Sequence, residues 1–284
     1  MTGGHDPRAR APLVAARVAP IVWRANRALL VAMVLCVACA ARRPAVPPSA
    51  PPVLPSAAAL EAALANRRQG LRTLRALARV RYRDADGSNS SRQAVIAARP
   101  DRLRIEVLSV FGSPFVLAVN DGALVAYARQ ENTVYRGHAS AENLWRYVRL
   151  GLPIDELIDI VLATPRLRAA RQAEVAFDVG LGAVRLTADS PRGVQVVWFS
   201  ETLPIAAEQR GPEGGTMWRA TFGGYEDRGG MKVASRLRLE LPGRGRSVEM
   251  ELEDIDVNPT VDEKIFAVQT PPGSRVVDLD PIVN

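Results

Sequence analysis

The sequence predicts a mainly β protein of the α+β class, built as an incomplete antiparallel β-barrel with an N-terminal helix and a helical lid inserted between strands. Apolar and polar residues alternate in segment after segment from Ala78 onward, which is typical of strands with one buried face. A stretch with helical periodicity, residues 57–75, precedes the strands, and a second apolar helical stretch interrupts them. About ten strands with one apolar face predict a strongly curved sheet.

An apolar run near the start of the chain, residues 28–38, follows Arg24 and Arg27 and ends directly before Cys39. The run is too short to cross a membrane as a permanent helix. Positive residues, a short apolar run and small residues before a cysteine are typical of a bacterial lipoprotein signal peptide. We therefore expect residues 1–38 to be removed and Cys39 to be lipidated. An ordinary secretory signal cleaved nearby and an uncleaved anchor are the alternatives.

A proline-rich stretch follows this cysteine, with six prolines before Ala57. Such a composition cannot enter a core and is typical of an extended, partly stiff tether. We therefore predict that residues 39–56 are the lipidated cysteine and its tether, and that residues 57–284 form a single domain. At about 3.1 Å per residue, the tether could hold this domain up to ~50 Å from the lipid surface.

Charge and residue supply exclude several classes of function. The formal net charge of +7 falls to about +3 when the five arginines and one aspartate of residues 1–38 are removed, and the remaining basic residues are scattered among carboxylates, which does not indicate nucleic-acid binding. The remaining chain has one cysteine, Cys39, and one histidine, His138. A cysteine nucleophile, a zinc site of His and Cys, and a Ser/His/Asp triad other than through His138 lack the residues they need. We expect no catalytic residue, no metal and no cofactor.

The first element of the domain is a predicted helix over residues 57–75, with Ser56 as its N-cap. One stripe of this helix is expected to pack against the sheet; it consists of Leu60, Leu64, Leu71 and Leu74. A neighbouring stripe is expected to be a solvated face, with contact to anionic lipid head groups as a second interpretation; it consists of Arg68, Arg72 and Arg75.

The strands that follow show their alternation most clearly in six segments, and Asn120-Asp121-Gly122 between two of them is typical of a hairpin turn. The residues expected to share the apolar face are Leu103, Ile105 and Val107; Phe115, Leu117 and Val119; Val175, Phe177 and Val179; Val194, Val196 and Trp198; Leu237, Leu239 and Leu241; and Val248, Met250 and Leu252.

A helical insert separates two groups of strands. Ser140 is expected to cap a short helix through Tyr147, and Pro153 to open a second through Ala163. After its first turn the second helix has Asp159 as its one polar residue, so it cannot lie with a wide face in water. Such a helix can plug a barrel mouth and shift when an apolar guest enters, whereas the alternative is a plain core helix.

Four local patterns occur in order along the domain. They are Val110-Phe111-Gly112-Ser113 between two strands, the helical insert from Tyr135 to Pro165, the Phe-Gly-Gly-Tyr-Glu segment that ends Met217–Glu226, and Asp256-Val257-Asn258 in a late strand. Together they resemble the lipoprotein-sorting proteins LolA and LolB of the bacterial outer-membrane pathway, and LolB, itself a lipoprotein, most closely. The residues after Asn258 are more similar to the C-terminal end of LolA.

The resemblance implies an incomplete β-barrel capped by helices, whose apolar interior holds the acyl chains of a client lipoprotein or lipid. By its match, Phe111 takes the place of the exposed loop residue with which LolB places lipoproteins into the membrane; a Phe111 folded back under the sheet is the alternative. The residues expected to line the cavity or core are Leu103, Ile105, Val107, Phe115, Leu117, Trp198, Trp218 and Phe222, and those expected to form the lid are Leu157, Ile158 and Val161.

The resemblance also implies the setting of the protein: the periplasmic face of the outer membrane, anchored through Cys39, with a periplasmic carrier protein as a candidate partner. Ala40 after the cysteine is consistent with outer-membrane sorting. We expect a monomer. We also expect that no chemical step is needed, because burial of acyl chains provides about 0.8 kcal/mol of binding free energy per methylene.

Two other classes of function stay open at this stage. A structural or scaffolding envelope lipoprotein would have a fully packed barrel and bind a protein partner. A periplasmic hydrolase could use Asp155, Glu156 and Asp159, although these residues fit better as the acidic first turn of a helix.

Overall fold

A computed structural model of the protein describes residues 54–168, 172–190 and 193–280. The predicted signal peptide, Cys39 and most of the tether lie outside the described residues. No helix within these ranges is both long and apolar enough to cross a bilayer.

Three α-helices and fourteen strands occur in the described ranges. The helices are α1 (Ala57–Gly70), α2 (Ala141–Val148) and α3 (Ile154–Val161). The strands are β1 (Thr73–Asp84), β2 (Gly87–Ala98), β3 (Arg102–Leu108), β4 (Phe115–Asn120), β5 (Ala123–Ala128), β6 (Thr133–His138), β7 (Gln172–Asp178), β8 (Ala183–Ser190), β9 (Gly193–Ser200), β10 (Leu203–Arg210), β11 (Thr216–Arg228), β12 (Met231–Leu241), β13 (Arg246–Val257) and β14 (Arg275–Asp278).

The strands form a single open sheet in the order β14-β6-β5-β4-β3-β2-β1-β13-β12-β11-β10-β9-β8-β7. All neighbours are antiparallel except β14, which runs parallel to β6. The chain therefore builds two meanders that meet where β1 pairs with β13. This arrangement confirms the predicted fold class, an incomplete antiparallel barrel with an N-terminal helix and a helical insert.

One face of the sheet is apolar and holds the core. Leu60 and Leu64 of α1 are buried against it, together with residues of α2 and α3. The opposite, outer face of β1 and β13 carries exposed ion pairs such as Arg75 with Asp256 at 2.6 Å. The three helices thus cover the inner face, and any cavity in the interior lies between the helices and the strands.

The predicted N-terminal helix is shorter than expected, because α1 ends at Gly70 and not at residue 75. Asn258 at the end of β13 binds there: its Nδ2 donates to the Gly70 carbonyl at 2.6 Å, and its Oδ1 accepts from the Arg72 backbone N–H at 2.8 Å. A side chain distant in sequence therefore satisfies the groups at the helix end. Leu71 and Leu74 are buried as predicted, but from the turn and from β1.

Strand β9 has the opposite orientation to the predicted one. Val197 and Phe199 face the main core, whereas Val196 and Trp198 lie on the outer face. The guanidinium carbon of Arg219 lies over the Trp198 ring, 5.3 Å from its centroid. The strand is apolar on both faces, so alternation alone could not choose its inner face. Trp198 is therefore not a lining residue of the interior.

The residues that follow β13 pack on the outer face of β2 and then extend the sheet at β6. Phe266, in the short 3-10 turn Glu263–Phe266, packs on Ile96 and Ala98 of β2. The chain then adds β14 to the sheet beside β6. These contacts attach the residues after Asn258 to the sheet.

Candidate functional site

A pocket of about 380 Å³ lies between the inner face of β1 to β4 and the C-terminal end of α2. Three of the predicted lining residues border it: Ile105, Val107 and Phe115. Tyr147 and Val148 of α2 form part of the opposite wall. Its volume is in the range of ordinary small-molecule sites, so we take it as the candidate functional site.

Strand register explains why these side chains meet. Phe115 of β4 pairs directly with Val107 of β3, which in turn pairs with Gln93 of β2. Directly opposed residues project from the same face of a sheet, so the three side chains form one row across the inner face. Tyr82, further along β1, adds a phenol to the pocket wall.

The aromatic wall of the pocket depends on α2. Ser140 caps this helix by accepting a hydrogen bond from the Asn143 backbone N–H at 3.1 Å. The Tyr147 ring stacks on Phe115, with centroids 6.2 Å apart and planes 17° apart, and meets Tyr135 at 5.2 Å. Since α2 is fixed at its N-terminus, Tyr147 is held over the end of the β3–β4 hairpin.

The phenols in the pocket are neutral at physiological pH. Burial raises the pKa of Tyr147 to about 12 and also raises the pKa of Tyr82. The charged lining groups are Asp84 and Arg149. The apolar side chains of Ile105, Val107 and Phe115 can contact an apolar guest, and the two phenols offer it uncharged hydrogen-bonding groups.

An exposed apolar loop rises from the same hairpin. Val110 and Phe111, between the pocket-lining residues Val107 and Phe115, are 92% and 89% exposed. The backbone beneath them is ordered, because Ser109 Oγ donates to the Gly112 carbonyl at 2.6 Å. Phe111 is therefore not folded back under the sheet.

Two further features hold the Val110–Phe111 loop in place. Gly112 has φ +92°, a conformation that residues with a Cβ rarely adopt. Arg129 Nη1 donates to the Phe111 carbonyl at 3.3 Å, and Ser113 Oγ donates to Glu106. The exposure of the two apolar side chains thus follows from a defined turn.

The other predicted residues are distributed over the core. Leu103 and Leu117 are fully buried in the packed inner core, and Trp218 donates through Nε1 to Glu156 at 3.2 Å. Phe222 borders a separate pocket of about 290 Å³. The predicted lid residues are buried in the same core and do not line the candidate site; they are Leu157, Ile158 and Val161.

A second, larger cavity of about 530 Å³ lies beside α1 and has a charged lining that includes Arg68, Arg99 and Arg166. Arg68, expected on a solvated face, is instead bonded to Asp159 of α3 at 2.5 Å. This charged lining suits an apolar guest less well than the pocket beside α2.

Sequence reasoning missed Tyr82, Gln93 and Tyr147 as pocket residues. Gln93 carried a signal, because it is the polar member of an inward-facing row that continues with Val95 and Ala97. Among the described residues, no group of three His, Cys, Asp or Glu side chains is placed to hold a metal ion.

Neither a family model nor a curated protein matches the chain in sequence. Solved structures do match its fold. A DUF1329 family protein from Desulfovibrio piger has a TM-score of 0.54 at 12% identity, covering 74% of this chain and 97% of that one. A domain assigned to the outer membrane lipoprotein-sorting proteins, from Vibrio parahaemolyticus, has a TM-score of 0.50 at 13% identity, covering 74% and 97%.

A LolA superfamily protein from Nitrosomonas europaea has a TM-score of 0.50 at 12% identity, covering 76% of this chain and 99% of that one. At sequence identities this low, structural similarity establishes a shared fold and not a shared activity. The TM-scores of 0.50 to 0.54 show that these proteins share the overall fold of this chain. The chain therefore has a LolA/LolB-like fold.

Proposed function

We propose that the protein is a lipid-anchored envelope protein that binds the acyl chains of lipoproteins or lipids in the pocket beside α2 and assists their transfer to, or insertion in, the outer membrane. One observation carries this proposal: the apolar wall of the pocket, formed by Ile105, Val107 and Phe115, and the exposed Val110–Phe111 loop belong to the same β3–β4 hairpin. A guest could thus pass between the pocket and a membrane touched by the loop.

The physical basis is burial of apolar surface without a chemical step. Each methylene moved from water into the pocket contributes about 0.8 kcal/mol, so a few methylenes supply useful affinity. No nucleotide or cofactor is required. The direction of transfer would follow from the relative affinities of this pocket and of the cavity of a periplasmic carrier.

The setting is part of the proposal. Lipidation of Cys39 would anchor the protein to the periplasmic face of the outer membrane, and the proline-rich tether would let the domain reach that surface. The likeness in fold to a domain assigned to the lipoprotein-sorting proteins supports an envelope role. We propose that the domain acts as a monomer.

The first test is saturable binding of a fluorescent acyl probe to the purified protein. We expect wild-type binding in the micromolar range and a loss of at least about tenfold in Val107→Phe, whose larger side chain fills the pocket. Met217→Phe is the matched control, because Met217 is 56% exposed and is not among the residues that line the pocket. Equal binding by both variants would place the probe elsewhere.

The loop has its own test. Phe111→Glu should reduce association of the soluble domain with anionic vesicles, because it replaces an exposed apolar side chain with a charge. Its stability to denaturant should change by no more than about 0.5 kcal/mol. Val179→Glu is the control, since Val179 is 85% exposed in the β7–β8 turn. Vesicle binding that survives Phe111→Glu but not Val179→Glu would reassign the membrane contact.

A scaffolding envelope lipoprotein is the second candidate function. The observation that favours it is the close packing of the main core, in which Leu103, Leu117 and Ile158 are at most 1% exposed. This candidate predicts that a well-folded wild-type protein binds no acyl probe. Such a result would remove the carrier proposal and make the scaffold the leading explanation.

A further inference from the structure

We infer that the guest of the pocket beside α2 is an acyl amide, and that Gln93 and Tyr82 recognise its N–H and C=O groups. This inference rests on the proposed acyl-binding function and names the chemical class of the guest. It follows from the hydrogen bonds that the polar side chains of the pocket make and leave unmade.

Gln93 is a polar residue in an apolar position. It lies on the inner face of β2 between Ala78 of β1 and Val107 of β3, and it is 3% exposed. A buried amide at such a position requires hydrogen-bond partners, because an apolar side chain would fill the space at a lower desolvation cost. Its surroundings therefore determine what it can bind.

The amide nitrogen of Gln93 is satisfied and its oxygen is not. Nε2 donates to Ser91 Oγ at 2.9 Å and to Tyr82 Oη at 3.4 Å. Oε1 is buried and has no hydrogen-bond partner among the described residues. All three residues line the pocket, so a guest can supply the missing donor.

Tyr82 complements this acceptor. Its oxygen accepts from Gln93, and among the described residues no group accepts a hydrogen bond from its hydroxyl. Burial raises the pKa of the phenol, so the hydroxyl keeps its proton at neutral pH and can donate. The pocket thus presents one acceptor and one donor on adjacent strands, since β1 and β2 are neighbours in the sheet.

A secondary amide at the head of an acyl chain matches this pair. Its N–H can donate to Gln93 Oε1 and its carbonyl can accept from Tyr82, while the chain contacts the apolar side chains of Ile105, Val107 and Phe115. An ester offers the carbonyl alone and would leave Gln93 Oε1 unpaired. Sites that hydrogen-bond a guest group discriminate strongly against analogues that lack it.

The test compares two competitors, a secondary amide and the tertiary amide in which a methyl group replaces its N–H hydrogen. The N-methyl amide and the N,N-dimethyl amide of dodecanoic acid each displace the fluorescent acyl probe from the wild-type protein. We expect the N-methyl amide to act at about tenfold lower concentration, because only it can donate to Gln93. Dodecanoic acid methyl ester should behave like the dimethyl amide.

Two variants locate the effect. Gln93→Met keeps the length of the side chain and removes its acceptor, so the preference for the N-methyl amide should disappear while both amides still displace the probe. Tyr82→Phe should weaken both amides without changing their ratio, because it removes the donor to the carbonyl. Circular dichroism spectra and melting curves check that the variants fold.

The outcomes separate this inference from the function on which it rests. If the wild-type protein binds the probe and shows no preference between the amides, the acyl-amide inference is overturned and the proposed function stands. If it binds no probe at all, both are overturned. The wild-type comparison needs no substitution and is decisive even if Gln93→Met does not fold.

The same assay identifies the source of the amide. An N-acylated cysteinyl peptide and an N-acyl ethanolamine of equal chain length are used as competitors. Stronger displacement by the peptide supports a lipoprotein as the source, and stronger displacement by the ethanolamide supports a free lipid. Failure of both to compete would contradict the inference.

Discussion

Asp159 is the residue on which the helical insert depends. Its carboxylate lies on α3 with 5% of the side chain exposed and is bonded to Arg68 of α1 at 2.5 Å and to Arg99, which follows β2. Arg99 also donates to Thr164. Burial lowers the pKa of Arg68, and the charge of Asp159 opposes this shift. One buried carboxylate therefore joins two helices to the sheet.

Removing that charge should be costly. Asp159→Asn keeps the shape of the side chain but leaves two partly buried guanidinium groups without their counter-charge, so we expect the free energy of unfolding to fall by about 3 kcal/mol. Chemical denaturation followed by circular dichroism measures this change.

Asp256→Asn is the matched control for the loss of an ion pair. Asp256 and its partner Arg75 have side chains 45% and 55% exposed. Exposed pairs contribute little, so this variant should lose less than about 1 kcal/mol. Equal losses in the two variants would contradict the structural role assigned to Asp159.

Glu106 provides a prediction about pH. The hydroxyl of Ser113 donates to its carboxylate and, with a smaller contribution from Arg104, holds the pKa of Glu106 below the ordinary value of 4.5. Because the folded pKa is the lower one, the bond stabilises the loop above the ordinary pKa, and this stabilisation is lost as pH falls through the lowered pKa. In Ser113→Ala, a carboxylate titration by nuclear magnetic resonance should show the Glu106 pKa returned toward 4.5.

The control for this titration is Ser109→Ala. Ser109 lies in the same loop and bonds to Gly112, not to Glu106. The Glu106 pKa should keep its wild-type value in this variant. A shift of similar size in both variants would mean that loop order, not the Ser113 hydroxyl, determines the pKa.

At the scale of elements, the two helices of the insert have different relations to the pocket. α2 contributes Tyr147 and Val148 to the pocket wall, whereas α3 is buried in the packed core with Ile158 at 0% exposure. The apolar composition of α3 thus reflects the burial of its residues from Leu157 to Val161. α2 covers the candidate site.

This difference predicts which helix responds to a guest. A bound acyl probe should slow amide hydrogen exchange in α2 and at the end of the β3–β4 hairpin, because exchange there requires local opening that the guest opposes. Exchange in α3 should stay unchanged. Mass spectrometry of the protein with and without probe measures both, and protection confined to α3 would instead support the lid role expected from the sequence.

At the scale of the whole molecule, the proposed lipid anchor at Cys39 gives a prediction about where the protein is found. Cys39→Ala should move the protein from the membrane fraction to the soluble fraction, because a lipidated chain is held by its acyl groups. Cys36→Ala is the matched control, since it changes a cysteine of the same predicted signal peptide and leaves Cys39 unchanged. Fractionation followed by immunoblotting measures the partition, and a Cys39→Ala variant that stays with the membrane would contradict the anchor.

Alternation in the sequence predicted the sheet because most strands have one apolar and one polar face. Leu237, Leu239 and Leu241 of β12 are buried as their spacing predicts. The helix caps were local as well: Ser56 accepts from the Ala59 backbone N–H at 3.2 Å, and Ser140 caps α2. Where all the information lies within a few residues, the sequence is sufficient.

Other features depend on partners far along the chain. Asn258 binds at the end of α1. Arg68, which was expected on the solvated arginine stripe, instead forms an ion pair with Asp159 of α3. Periodicity also could not separate pocket from core, because Leu103 and Val107 alternate identically on β3 while only Val107 borders the pocket. The pocket lies between the strands and the C-terminal end of α2, and the position of α2 is not encoded in the alternation of β3.

The sequence by itself determined the fold class and the order of its elements, because hydrophobic period and turn chemistry act locally. It left open whether Phe111 is exposed or folded back under the sheet, and the tertiary structure decided that point. Only the tertiary structure decided which face of β9 is buried, which helix covers the pocket, and that Gln93 and Tyr82 lie together in it. Those outcomes arise from strand register and helix packing, which join residues that no local pattern connects.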